Sequence, residues 1–172
     1  MTTKASPQEL RELVRAFEAL RGLHEQLYSA LEEKIGAMRR ADIATLHTAG
    51  EEEQVLLQQL RERGIRRASL MQSVARECGM TPRAARSASV SQIAELLPGA
   101  ERGLLLDASG RLQATIAKTA QANRIAASIA REVMGHMKFV FSAVRPVRTA
   151  PVGYTRRGES FVAGAAVMDV VG

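Results

Sequence analysis

The chain has 172 residues, of which 46% are hydrophobic and only 3% aromatic, with no tryptophan. This is the length of one domain, and a core of aliphatic side chains is typical of helices packed on helices, which argues against a β-sandwich. The formal net charge of +6 makes nucleic acid or an anionic membrane candidate partners, because a basic surface attracts both. The single cysteine excludes an internal disulfide and a cysteine-rich metal site.

A first long helix is predicted to begin at Ser6 and Pro7, an N-cap residue followed by proline at the first helical position. Side chains then recur at alternating spacings of three and four, which is the period of a helix that packs along its length. These seam positions are Leu10, Leu13, Phe17, Leu20, His24, Leu27, Leu31, Lys34 and Met38.

A second helix is predicted from Asp42, a suitable N-cap, to about Gly79, with Pro82 beyond as a stop. Its apolar residues are Ile43, Leu46, Leu56, Leu57, Leu60, Met71 and Val74. The same spacing also turns inward Gly50, Glu53, Gly64 and Arg67. The helix therefore kinks, changes its face near Gly64, or leaves part of its length uncovered. An inward Glu53 needs a cation, so we expect an ion pair across the hairpin.

Residues 81–88 are small, polar and basic, and we predict a loop there. Ser89 and Gln92 have the spacing of a capping box for a short helix that carries Ile93, Leu96 and Leu97. Pro98 and Gly99 stop this element. We expect it to plug the end of a helical bundle.

The last and longest helix is predicted from about Ala100 to Val144, roughly 65 Å at 1.5 Å per residue. Its seam comprises Leu105, Ala108, Leu112, Thr115, Thr119, Ala122, Ala126, Ile129, Val133, His136, Val140 and Ala143. A helix of this length needs partners, so the chain is predicted to be all-α, an elongated antiparallel bundle of three long helices and one short one. His24 and His136 on the seams are expected to be partly buried, each with one hydrogen bond, and His47 to be exposed.

The bundle is predicted to occupy residues 1–145 and a flexible tail residues 146–172, since the tail has no helical repeat. The tail carries Tyr154 in a turn and ends in an apolar segment, 161–171, which could dock on a partner or on the bundle itself. No segment has the roughly 20 apolar residues that a membrane span needs, and residues 1–10 contain no apolar run. We therefore expect a cytoplasmic protein.

No spacing of residues typical of catalysis, of metal binding or of phosphate binding is found, so neither an enzyme nor a cofactor is expected. Seven arginines cluster in the middle of the chain: Arg61, Arg63, Arg66, Arg67, Arg76, Arg83 and Arg86. No aromatic residue lies between them to stack on bases, which favours a solvated basic face over a nucleic-acid surface.

The chain resembles the FlgN family of flagellar export chaperones from about Leu10 to Gly158. The resemblance rests on the order of the helices and on several short motifs: Arg40-Ala41-Asp42-Ile43 through Glu53 to Leu57, the plug at 89–97, Asn123-Arg124, and the tail at 154–158. It implies a cytosolic, non-enzymatic chaperone that binds amphipathic C-terminal segments of hook-associated junction proteins. Such a chaperone prevents early assembly and delivers these proteins to the type III export gate.

The candidate client-binding residues lie on the last helix, where small side chains leave a shallow groove and larger ones supply anchors. They are Ala122, Ile125, Ala126, Ile129, Val133, Met137 and Val140. The same residues could simply form the core of the bundle. Tyr154 corresponds in the resemblance to a tyrosine used in docking to the export gate. The open alternatives are a basic coiled-coil protein that binds nucleic acid, a structural or membrane-surface adaptor, and a homo-oligomer formed through an unsatisfied seam.

Overall fold

Three long α-helices dominate the computed structural model, which describes residues 7–144, 152–154 and 160–162. The elements of this part are α1 (Pro7–Arg40), α2 (Ile43–Glu77), α3 (Pro82–Ser87), α4 (Val90–Glu95), α5 (Gly99–Val144), β1 (Val152–Tyr154) and β2 (Ser160–Val162). The predicted all-α bundle of three long helices is confirmed. The chain divides into two compact units, Met1–Arg131 and Glu132–Gly172, with the division inside α5. The predicted boundary after residue 145 lies outside the described residues and stays a prediction.

Helix α1 begins at Pro7, as predicted, and buries two apolar stripes. One is the predicted seam, of which Leu10, Leu13, Phe17, Leu20, Leu27 and Leu31 are buried. The other adds Leu23, Ala30 and Ala37 at spacings of seven; Ile35, four residues after Leu31, is also buried, and none of these four was in the predicted seam. The apolar face is wider than a single seam because α1 contacts α2 on one side and α5 on the other.

The corner between α1 and α2 is closed by backbone hydrogen bonds. The N–H of Asp42 donates to the carbonyl of Ala37 at 3.0 Å, and the N–H of Ala41 to that of Met38 at 3.3 Å. This is the Schellman pattern, in which the residue after the helix takes a left-handed conformation. That residue is Ala41, with φ of +54°. The predicted cap is confirmed, since the Asp42 side chain accepts from the N–H of Thr45 at 3.1 Å.

Helix α2 is covered over only part of its length, one of the three outcomes that its irregular seam allowed. Its buried residues are Ala49, Leu56, Val74 and Ala75. The expectation that Ile43 packs inward is wrong: its side chain is 72% exposed, because it lies in the first turn, directly after the corner. The predicted ion pair is confirmed, with Lys34 Nζ 2.6 Å from Glu53 Oε2 and both side chains largely shielded from solvent.

The predicted loop at 81–88 is wrong, because residues 82–87 form the short helix α3. Gly79, with φ of +88°, ends α2 in the same Schellman pattern, here with the residue that fits a left-handed position. Thr81 then caps α3 by accepting from the N–H of Ala84, and Pro82 occupies the first turn. A proline that cannot continue one helix is therefore well placed to start the next.

Helix α4 has the predicted capping box, with both reciprocal hydrogen bonds formed between Ser89 and Gln92. Ile93 and Leu97 are buried in a cluster to which all five helices contribute. The cluster comprises Leu10, Leu13, Phe17, Leu20, Val74, Ala75, Ala85, Ile93, Ala94, Leu97, Leu105, Ala108 and Leu112. The short helix therefore plugs the core, as expected.

Helix α5 runs parallel to α1, since the contacts advance along both helices in the same direction, from Glu18 with Arg111 to His24 with Thr119. Arg111 Nη2 lies 3.1 Å from Glu18 Oε1. Thr119 Oγ1 donates to the carbonyl of His24 at 3.1 Å. Lys118 Nζ lies 3.9 Å from the centre of the Tyr28 ring. Beyond this polar layer, a second cluster joins α1, α2 and α5. It comprises Leu23, Leu27, Ala30, Leu31, Ile35, Leu56, Ala122 and Ala126.

His24 is partly buried, as expected, but its Nδ1 is buried without a hydrogen-bond partner in the described part of the chain. Burial lowers the pKa of this imidazole below its ordinary value, because a charged ring would lose its solvation there. The neutral ring is therefore the form that suits the contact between α1 and α5.

In the second unit, β1 and β2 form an antiparallel pair that the sequence did not predict. Val152 pairs with Val162, Gly153 with Phe161, and Tyr154 with Ser160. The linker at 145–151, the residues between the strands and those after 162 lie outside the described residues, and so does most of the apolar segment 161–171.

Ala41→Gly is expected to raise the free energy of unfolding by about 0.5 to 1 kcal/mol, because glycine takes a left-handed conformation without the steric cost that alanine carries. Urea denaturation measures the change. The matched control is Ala114→Gly inside α5, which should lower stability by about 1 kcal/mol. Destabilisation by both substitutions would contradict the conformation assigned to Ala41.

The protein is expected to lose stability as the pH falls from about 7 to about 5, because the unfolded chain binds a proton at His24 more readily than the folded one. His24→Gln should flatten this slope in urea denaturations across that range. His47→Gln, at an exposed position on α2, is the control for replacing an imidazole outside the contact between α1 and α5. An equal effect of both substitutions would show that His24 is not responsible.

Candidate functional site

The last turns of α5 carry large apolar side chains in solvent. All residues from 132 to 142 are exposed, and six large hydrophobic ones among them are between 42% and 69% exposed: Val133, Met134, Met137, Phe139, Val140 and Phe141. Single exposed hydrophobic residues are ordinary on protein surfaces, but a contiguous group of this size marks an interaction site.

Five of these residues form one face of the helix. Val133, Met137 and Val140 follow spacings of four and three, and Met134 and Phe141 lie one position further around the same face. We call this set, Val133, Met134, Met137, Val140 and Phe141, the distal stripe. Phe139 lies about 200° around the helix from Met137, on the opposite face. The stripe is therefore an exposed apolar surface that can accept an apolar partner.

The predicted site residues before Arg131 have different surroundings. Ala122 and Ala126 are 2% and 4% exposed and pack in the second core cluster with α1. Ile129 packs partly against the same cluster, whereas Ile125 is 41% exposed. The face that the sequence suggested as a shallow groove is filled by α1, since small side chains allow α1 to approach closely.

The remaining predicted residues, Val133, Met137 and Val140, all belong to the distal stripe. Sequence reasoning missed Met134 and Phe141, although their seven-residue spacing beside Val133 and Val140 was a signal for them. The expectation that His136 is partly buried is wrong: it is exposed, because the surrounding turns are exposed on every face. The exposed position predicted for His47 is confirmed.

Tyr154 is the last residue of β1, and its backbone pairs with that of Ser160. The prediction of a turn at Tyr154 is therefore wrong for this residue, which lies in a strand, and residues 155–159 of the predicted turn lie outside the described residues. The short pairing holds this backbone position in an extended conformation.

Other chemistry is sparse in the part of the chain that the structure describes. No three histidine, cysteine, aspartate or glutamate side chains are grouped there so that they could hold a metal ion. Cys78 is the C-cap residue of α2, and its thiol is half-buried; burial, with Glu77 and Glu101 nearby, raises the pKa of this thiol. Among the described helices, none combines the length and the apolar content that a bilayer crossing requires.

Comparison with known proteins identifies a family. The family model described as FlgN protein matches residues 1–160, which is most of the chain and includes every described element except the last two residues of β2. No curated protein and no solved structure matches this chain.

Proposed function

The chain belongs to the FlgN family of flagellar chaperones, and we propose that its clients are the hook-associated proteins that join hook and filament. In this proposal the protein binds their amphipathic C-terminal segments and so prevents premature assembly. It then delivers them to the type III flagellar export gate. The protein acts in the cytoplasm, because a client must be bound before it is exported, and the role requires no cofactor.

The observation that carries this proposal is the distal stripe. An amphipathic helix buries its own apolar face best on a surface with side chains spaced by three and four residues, and the stripe has that spacing. Met134 and Met137 are flexible and polarizable, so they can adapt to clients whose sequences differ. A chaperone for more than one junction protein benefits from such a surface.

Two of the predicted client-binding residues on α5 belong to the core of the protein. Ala122 and Ala126 are in contact with α1, so a client would reach them only by displacing α1. The candidate residues for client anchoring are therefore Val133, Met137 and Val140, with Met134 and Phe141 beside them. Ile125 is exposed on an earlier turn and is a separate candidate.

Val133→Ser with Met137→Ser is expected to weaken the binding of C-terminal peptides from hook-associated proteins by about tenfold or more, because each residue loses apolar burial. Isothermal titration at low and high salt measures the affinity. Wild-type binding should survive high salt and show a negative heat-capacity change, as expected for an apolar contact.

The matched control is Phe139→Ser, which removes a large exposed side chain from the opposite face of the same turns. It should leave the affinity within about twofold of wild type. Sedimentation of each variant must show the same oligomeric state as wild type, so that lost self-association is not mistaken for lost client binding. Equal weakening by Phe139→Ser would contradict a role of the distal stripe.

We also propose that Tyr154 contacts the export gate. Tyr154→Ala should leave the helical content and client affinity unchanged while weakening the binding of purified cytosolic export-gate domain and reducing swarming motility. Phe161→Ala, on the paired strand, controls for damage to the hairpin. Unchanged gate affinity and motility in the Tyr154 variant would remove this role.

A further inference from the structure

A groove of about 330 Å³ lies between α1 and α2, wholly within the first unit, and none of its lining residues belongs to the distal stripe. We call it the basic groove. Its lining is Glu12, Arg15, Ala16, Ala19, Arg63 and Arg66. Ala16 and Ala19 on α1 supply short side chains, and three arginines from both helices surround them.

The irregular seam of α2 explains why the groove is open. At the turns where a regular seam would place large apolar residues, α2 has Gly64 and Arg67 instead. No residue of α2 between Leu56 and Val74 is fully buried. On the α1 side, the short side chains of Ala16 and Ala19 leave space between the two helices.

The lining of the groove has three arginines and one glutamate, so its net charge is positive. In the described residues, no carboxylate lies within ion-pair distance of Arg15, Arg63 or Arg66, although other arginines such as Arg21 and Arg111 are paired. Nearby, Nε of Arg67 is buried without a hydrogen-bond partner among the described residues. Guanidinium groups in this state favour carboxylate or phosphate ligands, which they can bind through two parallel hydrogen bonds.

An apolar cleft adjoins the groove and shares Arg15 with it. This cleft, of about 320 Å³, is lined by Leu10, Arg11, Val14, Arg15, Glu101 and Leu104. Leu104 is 62% exposed. Together the two concavities contain four arginines against two glutamates, with aliphatic side chains at one end. A ligand that fits both must be acidic and must carry an apolar group close to its acidic one.

We propose that the basic groove and the apolar cleft form a second protein-binding site, which takes an acidic amphipathic peptide segment of a partner. Carboxylates of the segment bind Arg15, Arg63 and Arg66, and a neighbouring aliphatic side chain packs on Leu104. A nucleic acid fits less well: neither concavity has an aromatic side chain on which bases could stack, and both are lined partly by aliphatic residues. This site goes beyond client binding, because none of its residues belongs to the distal stripe.

The test uses the full chain and a fluorescein-labelled helical peptide of glutamate, leucine and alanine, acidic along one face, in an anisotropy titration at about 0.15 M salt. The controls are the same peptide with glutamine for glutamate and a short random DNA duplex. We expect saturable binding of the acidic peptide and a weaker affinity for both controls.

Arg63→Gln with Arg66→Gln is expected to weaken this binding by about tenfold or more. The matched control, Arg83→Gln with Arg86→Gln on α3, removes the same charge outside the groove and should cost less than about twofold. Leu104→Ser should weaken the binding, whereas Leu96→Ser, at an exposed position outside the cleft, should not. Circular dichroism and thermal unfolding establish that every variant is folded as wild type.

Three results would overturn the proposal. Equal losses in the two arginine pairs would indicate unspecific attraction to net charge. Tighter binding of the duplex than of the peptide, lost in Arg63→Gln with Arg66→Gln, would make the groove a nucleic-acid surface. Absence of saturable peptide binding would exclude the site. Titration of these variants with a hook-associated peptide separates the two sites, since client affinity should be retained.

Discussion

Helix α1 must be covered on two sides, because its buried side chains follow two stripes. This requirement determines the arrangement of the first unit. Helix α2 follows directly through a tight corner and can cover only one side. Helix α5 therefore covers the other, and the two short helices reverse the chain so that α5 runs parallel to α1. The residues of α3 and α4 that face inward complete the core at the start of α1.

Along α5, the residues that contact α1 differ from those that are exposed to solvent. Near its start α5 contributes Leu105 and Leu112 to the first cluster. Its inward residues in the following turns are small, such as Thr119, Ala122 and Ala126. Further along, residues at the same period are valine, methionine and phenylalanine, and they are exposed. Small residues suit a permanent contact between helices, whereas larger and flexible ones supply the apolar area that a transient partner can bury.

The irregular seam of α2 lies on the helix that forms one side of the basic groove. A regular seam would have closed the space between α1 and α2 with apolar side chains. Gly64 and Arg67 occupy those turns instead, and the groove between the helices is lined by arginines that have no ion pair among the described residues. The irregular turns of α2 thus accompany a basic groove that favours carboxylate or phosphate ligands.

Periodicity and capping residues in the sequence alone determined the three long helices, the cap at Asp42, the plug at Ser89 and the ion pair of Glu53, because each depends on residues close in the chain or on one helical face. They did not determine which helix covers which face. The second stripe of α1, the exposure of Ile43 and His136, and the burial of Ala122 and Ala126 depend on how helices pair in space. The sequence marked one apolar period through α5, but only the tertiary structure decided where that period meets α1 and where it meets solvent. Periodicity shows that a side chain faces a partner, whereas burial depends on whether another element of the chain reaches that position.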